Sequence, residues 1–477
     1  MTDQESPVRI AVVGSGPAGF YAAGHLLKDS FGHVEVDMLE RLPTPWGLVR
    51  SGVAPDHPKI KSVTRIYEKT AAHPRFRFFG NVNFGEHVAR EDLLRHYHAI
   101  VYATGSPTDR PLGIPGEDLP GSHPATEFVG WYNGHPDHRD LELDLLSSER
   151  AVVIGNGNVA LDVARMLSLT RAELAGTDIA DHALDVLEDN RIAEIVVIGR
   201  RGPAQAAFTN PELLELGELS DADVIVDPAE LDRALAVSDP AAEDNATARR
   251  NVEILRGYSQ RALTGKRRRI VLRFLLSPIA LRGSAQDGVE EVELALNELV
   301  AEPDGSLRAH ATGETETIAA GLVFRAIGYR GIPLPGVPFD DRRAIIPNAS
   351  GRVVDPVAES PLRGEYVVGW IKRGPSGVIG TNKKDAQETV DAIFEDLSAN
   401  GDGGLHAPAA PDASEVERLL RARQPDLVTY EGWSEIDRHE RSLGEPAGRP
   451  RVKLTRIEEM LRVAAAEGST EEKHSAA

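Results

Sequence analysis

The sequence predicts an α/β fold of two Rossmann-like dinucleotide-binding domains, the second inserted into the first. Three observations carry this expectation. Apolar runs of strand length alternate with apolar-periodic helical stretches, the pattern of mostly parallel sheets. Two of these runs lead straight into glycine turns that open helices, at Gly14 and, 141 residues later, at Gly155. Further strand-like runs imply that the chain re-enters its first domain near Tyr329. The expected division is residues 1–108 for the first segment of one domain, 109–329 for the inserted domain, and 330–477 for the second segment with a C-terminal helical extension.

The elements follow in order. Val8–Val13 is a continuous apolar strand, Gly14 to Gly19 reads Gly-Ser-Gly-Pro-Ala-Gly, and residues 20–27 are helical in period. Val34–Leu39 is the next strand, closed by Glu40. Residues 43–58 form a Pro/Gly-rich loop of a length that is functional or disordered in most domains. A strand over residues 99–103 stops at Thr104-Gly105. The second unit repeats the pattern: a strand over 151–154, Gly155-Asn-Gly-Asn-Val-Ala160, and a helix over 161–167. A strand over 194–198 ends at Gly199-Arg200-Arg201. Later strands lie at 321–327 and 366–368, and residues 381–397 read as a helix. Residues 401–411 are a linker by composition, a charged helical tail follows, and the last dozen residues are expected to be disordered.

Composition removes several function classes. The 477 residues hold no cysteine, which excludes disulfides, thiolate metal sites, cysteine-ligated iron–sulfur clusters and dithiol redox centres. Redox chemistry here needs an organic cofactor. A net charge of −21 argues against nucleic acid as a partner. No apolar run approaches the roughly 18 residues of a membrane helix. Residues 1–7 are short, polar and acidic, so a cytoplasmic location is the expectation.

The glycine turns carry the chemistry. In Gly14-x-Gly16-x-x-Gly19 the glycines let backbone approach a pyrophosphate at a helix N-terminus. Glu40 stands 26 residues after Gly14, close to the usual spacing of about 20, where a carboxylate accepts ribose hydroxyls. The second turn ends in Ala160 instead of a third glycine, and its following strand ends in Arg200 and Arg201 where an NAD enzyme places an acid. Two guanidinium groups there suit a 2′-phosphate. The Glu40 site therefore suits FAD and the arginine site NADP(H). His57 lies in the long loop, where it either holds that loop or pairs with a carboxylate such as Glu212 or Glu215 to orient the nicotinamide or manage protons. His96, His98, His135 and His138 have metal-like spacings, but nothing clusters with them and no metal is expected.

Four long motifs then become recognisable. They are PWGLVRSGVAPDHP from Pro45, GNGNVALDVAR from Gly155, GRRGP from Gly199 and GWIKRGPSGVIG from Gly369. Together they resemble the adrenodoxin reductase family, in particular its bacterial ferredoxin–NADP reductases, over nearly the whole chain. The resemblance implies FAD contacts at Ala18, Glu40, Leu48, Phe84, Trp370, Gly377, Val378 and Ile379. It implies NADP contacts at Asn156, Gly157, Asn158, Val159, Arg200, Arg201, Glu212 and again Gly377, where a side chain would hold the two rings apart. At Phe84 the contact is expected through backbone or van der Waals surface alone.

An acidic ferredoxin is the implied electron acceptor. A local charge reversal offers a docking face: Arg249, Arg250, Arg256, Arg261, Lys266, Arg267, Arg268, Arg269 and Arg273 stand against the single acid Glu253. The rival to NADPH–ferredoxin oxidoreduction is a flavin monooxygenase or non-ferredoxin NADPH diaphorase. An electron-input subunit with iron–sulfur clusters conflicts with the absence of cysteine.

Overall fold

The computed structural model describes residues 7–28, 33–237, 239, 242, 244–303, 306–399 and 404–465. The tail expected beyond residue 466 and residues 401–403 of the linker lie outside them. The chain divides into two compact units, one formed by residues up to Thr108 and from Tyr329 onward, the other by Asp109–Gly328.

The first unit begins with β1 (Val8–Val13), α1 (Pro17–Leu26) and β2 (Val34–Leu39). A short helix, α2 (Leu48–Ser51), interrupts the long loop, and β3 (Phe76–Phe79) and β4 (Ala99–Tyr102) follow. β1 pairs in parallel with β2 on one side and β4 on the other. Its alternate residues serve two cores. Ile10 and Val12 join a cluster with α1 residues such as Phe20, while Ala11 and Val13 join one with Leu39 and Tyr102. A strand covered on both faces reads as an unbroken apolar run, which is why VRIAVV is legible at sight.

The second unit contains β5 (Ser122–Pro124), β6 (Arg150–Ile154), α3 (Asn158–Ser168), β7 (Glu194–Gly199), α4 (Asn210–Leu216) and β8 (Ala222–Ile225). It continues with α5 (Ala246–Ser259) and β9 (Arg268–Phe274). The excursion at residues 170–191, which lengthens the path from β6 to β7, holds helices Arg171–Leu174 and Asp181–Glu188. Three long strands come next, β10 (Leu276–Ser284), β11 (Gly288–Ala301) and β12 (Leu307–Ala319), before β13 (Leu322–Arg325). The parallel sheet has the order β5-β13-β6-β7-β9-β8. The antiparallel sheet β10-β11-β12 was not read from the sequence. It covers one face of the parallel sheet, Val292 and Leu294 packing on Val152, Ile154, Val196 and Ile198.

The chain returns to the first unit with β14 (Asn348–Ala349), β15 (Arg352–Asp355) and β16 (Ser360–Val367). These complete a seven-stranded sheet ordered β14-β15-β16-β4-β1-β2-β3, parallel except at β14 and β15. Helix α6 (Thr381–Ser398) is followed by α7 (Tyr430–Gly444) and α8 (Ile457–Ala464). The C-terminal segment is not a solvated tail: Trp433, Ile436 and Met460 belong to the same core as α1.

Candidate dinucleotide sites

In both units a glycine leaves the central strand in the left-handed region, Gly14 at φ +105° and Gly155 at φ +138°. A Cβ would lie 2.6 Å from Ala103 O at Gly14 and 2.2 Å from Ala326 O at Gly155. Neither position admits a side chain. Gly19 fits as tightly, its Cβ falling 2.2 Å from Gly14 O. Gly16 and Gly157 differ. Their backbones are extended (φ −73° and −106°), and each is the N-cap of its helix with no side chain capping the first turn. A Cβ on Gly16 meets nothing within 4 Å, and one on Gly157 only Ala207 Cβ at 3.9 Å. No steric contact within the fold requires glycine at these two places, and the uncapped N–H groups beside them leave space that fits a phosphate.

Around the first turn the predicted residues converge. Ser15 N–H and Oγ–H donate to Glu40 Oε2 at 3.0 and 2.6 Å, and Leu42 N–H donates to Oε1 at 3.0 Å. Glu40 therefore ties the turn to the end of β2 and keeps about one acceptor site, on Oε1, for a further donor. Gly47 packs its backbone on the turn, since a Cβ there would lie 2.9 Å from Gly16 Cα. That places Leu48, the first residue of α2, beside it. Ala18 faces Gly369, whose Cβ would sit 2.6 Å from Ala18 Cβ, and Trp370 follows with Nε1–H donating to Ser376 O at 3.2 Å. Thr104 Oγ1 and Ser106 Oγ, at the end of β4, are buried with no hydrogen-bond partner among the described residues. Orphaned hydroxyls beside an open glycine turn fit an absent polar ligand. They were missed in the sequence, where Thr104-Gly105 registered only as a strand stop.

Gly377 and Phe84 also serve the protein's own packing. Gly377 has φ +78° and its Cβ would lie 2.6 Å from Thr381 Oγ1, so its own turn already demands glycine, whatever approaches it. Val378 beside it is exposed, and Ile379 packs on the α1 core. Phe84 packs edge-on against Tyr102 at 5.9 Å, in the core on the other face of the sheet from Ala18.

In the second unit Asn158 Oδ1 accepts Thr209 N–H at 2.8 Å and Asn156 O accepts Ala207 N–H at 2.9 Å, which brings residues 207–209 over the turn beside Val159. Arg200 is exposed at the end of β7 and Arg201 half-buried. Asn297 Nδ2–H holds Arg200 O at 3.0 Å, and Arg201 Nη2–H reaches Gln205 O at 3.4 Å. No carboxylate pairs with either guanidinium among the described residues. Glu212 and Glu215 lie half-buried on α4, Glu215 3.7 Å from Arg165 Nη1. His57, in the first unit, accepts Ile60 N–H at its carbonyl at 3.1 Å and starts the short helix Pro58–Lys61.

Three of the four histidines with metal-like spacing are engaged by backbone. His96 Nδ1–H donates to Ala410 O at 2.7 Å, while His98 Nδ1 accepts Arg9 N–H at 3.1 Å and His135 Nδ1 accepts Asp137 N–H at 3.2 Å. The basic run does not form one patch. Arg268 is 1% exposed and donates to Ile192 O, Ser168 O and Asn190 O, and burial pushes its pKa down to about 10. Lys266 donates to Leu219 O and Ala222 O, and Arg273 pairs with Glu230 and Glu316. Arg249, Arg250, Arg256 and Arg261 remain exposed on α5 and just beyond it.

Two glycine-turn units in one chain, one with a carboxylate after its second strand and one with paired arginines, define a two-dinucleotide flavoprotein. Residues 8–197 match the family model described as pyridine nucleotide-disulphide oxidoreductase. The chain is 54% identical over 463 residues to NADPH-ferredoxin reductase FprA of Mycobacterium tuberculosis, covering 96% of this chain and 99% of that one. It is 40% identical over 471 residues to the mitochondrial NADPH:adrenodoxin oxidoreductase of Arabidopsis thaliana, covering 96% of each. The solved structure of M. tuberculosis FprA in complex with NADPH superposes with a TM-score of 0.88 at 53% identity, covering 96% of this chain and all of that one. The chain belongs to the adrenodoxin reductase family. No helix among the described residues is long and apolar enough to cross a membrane.

Proposed function

We propose that this chain is a cytoplasmic NADPH–ferredoxin oxidoreductase that holds FAD in its first unit and NADP(H) in its second. One observation carries the coenzyme choice: Arg200 and Arg201 stand without a carboxylate partner among the described residues, at the strand end where an NAD-binding fold places an acid. The activities named for the relatives support the same reading. Bound FAD supplies the junction between a two-electron hydride donor and a one-electron acceptor. With no cysteine the chain cannot form a thioether to that cofactor, nor perform the disulfide chemistry in its family's description.

The chain's own part is to bind and orient. Gly14, Gly16, Ala18, Gly19, Glu40, Leu48, Phe84, Trp370, Gly377, Val378 and Ile379 form the FAD seat in this proposal. Asn156, Gly157, Asn158, Val159, Arg200, Arg201 and Glu212 form the NADP seat. His57 and Glu215 manage protons or orient the nicotinamide, each from its own unit. Ferredoxin docks through the exposed remainder of the basic run, Arg249, Arg250, Arg256, Arg261, Arg267 and Arg269.

Anaerobic stopped-flow mixing tests this. NADPH should bleach the flavin much faster than NADH, and an acidic ferredoxin should restore the colour. A flavin that NADPH does not reduce refutes the reading, and reoxidation by oxygen with turnover of a small organic substrate favours the monooxygenase.

A further inference from the structure

The C-terminal segment is bonded into the first unit through a carboxylate that water does not reach. Glu440, on α7, is 0% exposed. Arg50, on α2, donates Nη1–H to Glu440 Oε2 at 2.9 Å and Nη2–H to Oε1 at 2.5 Å. Arg451 donates to Oε2 at 3.0 Å and Leu454 N–H to Oε1 at 2.9 Å. Burial alone would push this carboxyl up, but Arg50, Arg451 and the Leu454 N–H outweigh it and hold Glu440 below the usual carboxylate range. Lys453 Nζ adds a hydrogen bond to Arg50 O at 3.0 Å. Trp433, about two turns before Glu440 on α7, lies under the Arg50 guanidinium at 5.3 Å and meets Trp46 edge-on at 6.1 Å.

The two gripped residues, Trp46 and Arg50, bracket Gly47 and Leu48. Trp46 has φ +87°, a left-handed conformation that a bulky residue keeps only when its surroundings over-determine it. Those surroundings are Phe20 at 4.8 Å, Tyr67 at 5.6 Å and Trp433. Trp46 N–H in turn donates to Ser15 O at 3.2 Å, and Gly47 lies against Gly16. A continuous path of packed and bonded groups therefore runs from α7, through Trp46 and Arg50, to the open glycine turn.

We propose that Glu440 and Trp433 are positioning residues for the FAD seat: α7 braces residues 46–50 against the Ser15-Gly16 turn, so the C-terminal segment sets how the cofactor is held. This rests on the assignment of FAD to the first unit. A brace that merely stabilises the fold and one that shapes the seat differ in what survives once the chain is folded.

Two full-length variants separate them. Glu440→Asp keeps the charge but draws the carboxylate back by one methylene, so Arg50 must follow it or lose a bond. Glu440→Gln leaves the buried Arg50 charge uncompensated and is the harsher change. Each is stripped of flavin, checked for cooperative melting, and titrated with FAD, and its flavin absorption spectrum and reduction potential are recorded. The expected result is a folded Glu440→Asp apoprotein whose FAD dissociation constant rises by about tenfold, the factor carried by about 1.4 kcal/mol, with the spectrum and potential displaced from wild type. Glu440→Gln should move the same readouts further if it folds. Folded variants with wild-type FAD affinity, spectrum and potential overturn the proposal, and so does failure of both to fold, which assigns the brace to the fold alone. Wild-type protein that binds no FAD in the same titration overturns the FAD assignment itself.

Discussion

Replacing Arg200 and Arg201 with Ala separates the coenzyme from the fold. A hydrogen bond to a charged group contributes about 1.5–3 kcal/mol net, so two arginines on a 2′-phosphate are worth about 3–6 kcal/mol. Arg200 is exposed and Arg201 half-buried, so solvent screening places the sum near the low end, about 3 kcal/mol or roughly 10² in affinity. The fold loses little. The Arg200 side chain has no partner in the protein among the described residues, and Arg201 makes one 3.4 Å contact to Gln205 O. Equilibrium titration of the double variant with NADP⁺ and with NAD⁺, at two ionic strengths, reads the effect. NADP⁺ affinity should fall about 10² at low salt, and by less at high salt because the lost interaction is screened there already, while NAD⁺ affinity and the melting temperature hold. A parallel fall for both nucleotides would make the arginines structural and remove the basis of the NADP assignment. An unchanged NADP⁺ affinity would place the 2′-phosphate elsewhere.

Three further outcomes follow from the geometry. Glu40→Ala removes the acceptor of three hydrogen bonds, from Ser15 N–H, Ser15 Oγ–H and Leu42 N–H, so FAD retention should fall along with about 1–3 kcal/mol of stability in denaturant titration. Gly16→Ala and Gly157→Ala should leave the apoprotein's melting temperature unchanged while abolishing FAD and NADP⁺ binding respectively, whereas Gly19→Ala should unfold the first unit because its Cβ falls 2.2 Å from Gly14 O. Arg249→Gln with Arg256→Gln should raise KM for ferredoxin at low salt and leave flavin reduction intact. Arg268→Ala should instead leave the ferredoxin KM alone and destabilise the second unit by about 3 kcal/mol, since three buried carbonyls lose their donor.

What the sequence displayed and what it hid have separate physical causes. β1, β2, β6 and β7 were legible because strands buried on both faces are mostly apolar runs, and the glycine turns because left-handed backbone demands glycine. The β10–β12 sheet was not, because one covered face and one solvated face leave only a broken alternation: in β11 Val292 and Leu294 are fully buried while Glu290 and Glu291 are exposed. Charge in a run of residues says nothing of where each side chain points. Arg268 and Arg269 are neighbours in β9, but strand alternation sends one into the core and the other to solvent. The docking of the C-terminal helices was hidden for the same reason: they carry many charges, while the few residues that decide their place, Trp433, Ile436 and Glu440, are each fully or almost fully buried.

The same device serves both units, and the difference between them matches the different lives of their two cofactors. Each has a left-handed glycine leaving the central strand and a second glycine with open space before an uncapped helix. In the first unit the carboxylate proposed to recognise the cofactor is already fixed: three protein hydrogen bonds hold Glu40, and the loop over Gly16 is anchored by Trp46 and Arg50. Binding there orders little that is not already ordered, which favours a cofactor that stays. In the second unit the backbone of Arg200 is held by Asn297, but the guanidinium groups are not held by carboxylates. Long side chains of this kind lose up to about 2 kcal/mol each of rotamer freedom when a ligand fixes them. That loss offsets part of the attraction to a 2′-phosphate on every binding event, which suits a nucleotide that must arrive, give up its hydride and leave.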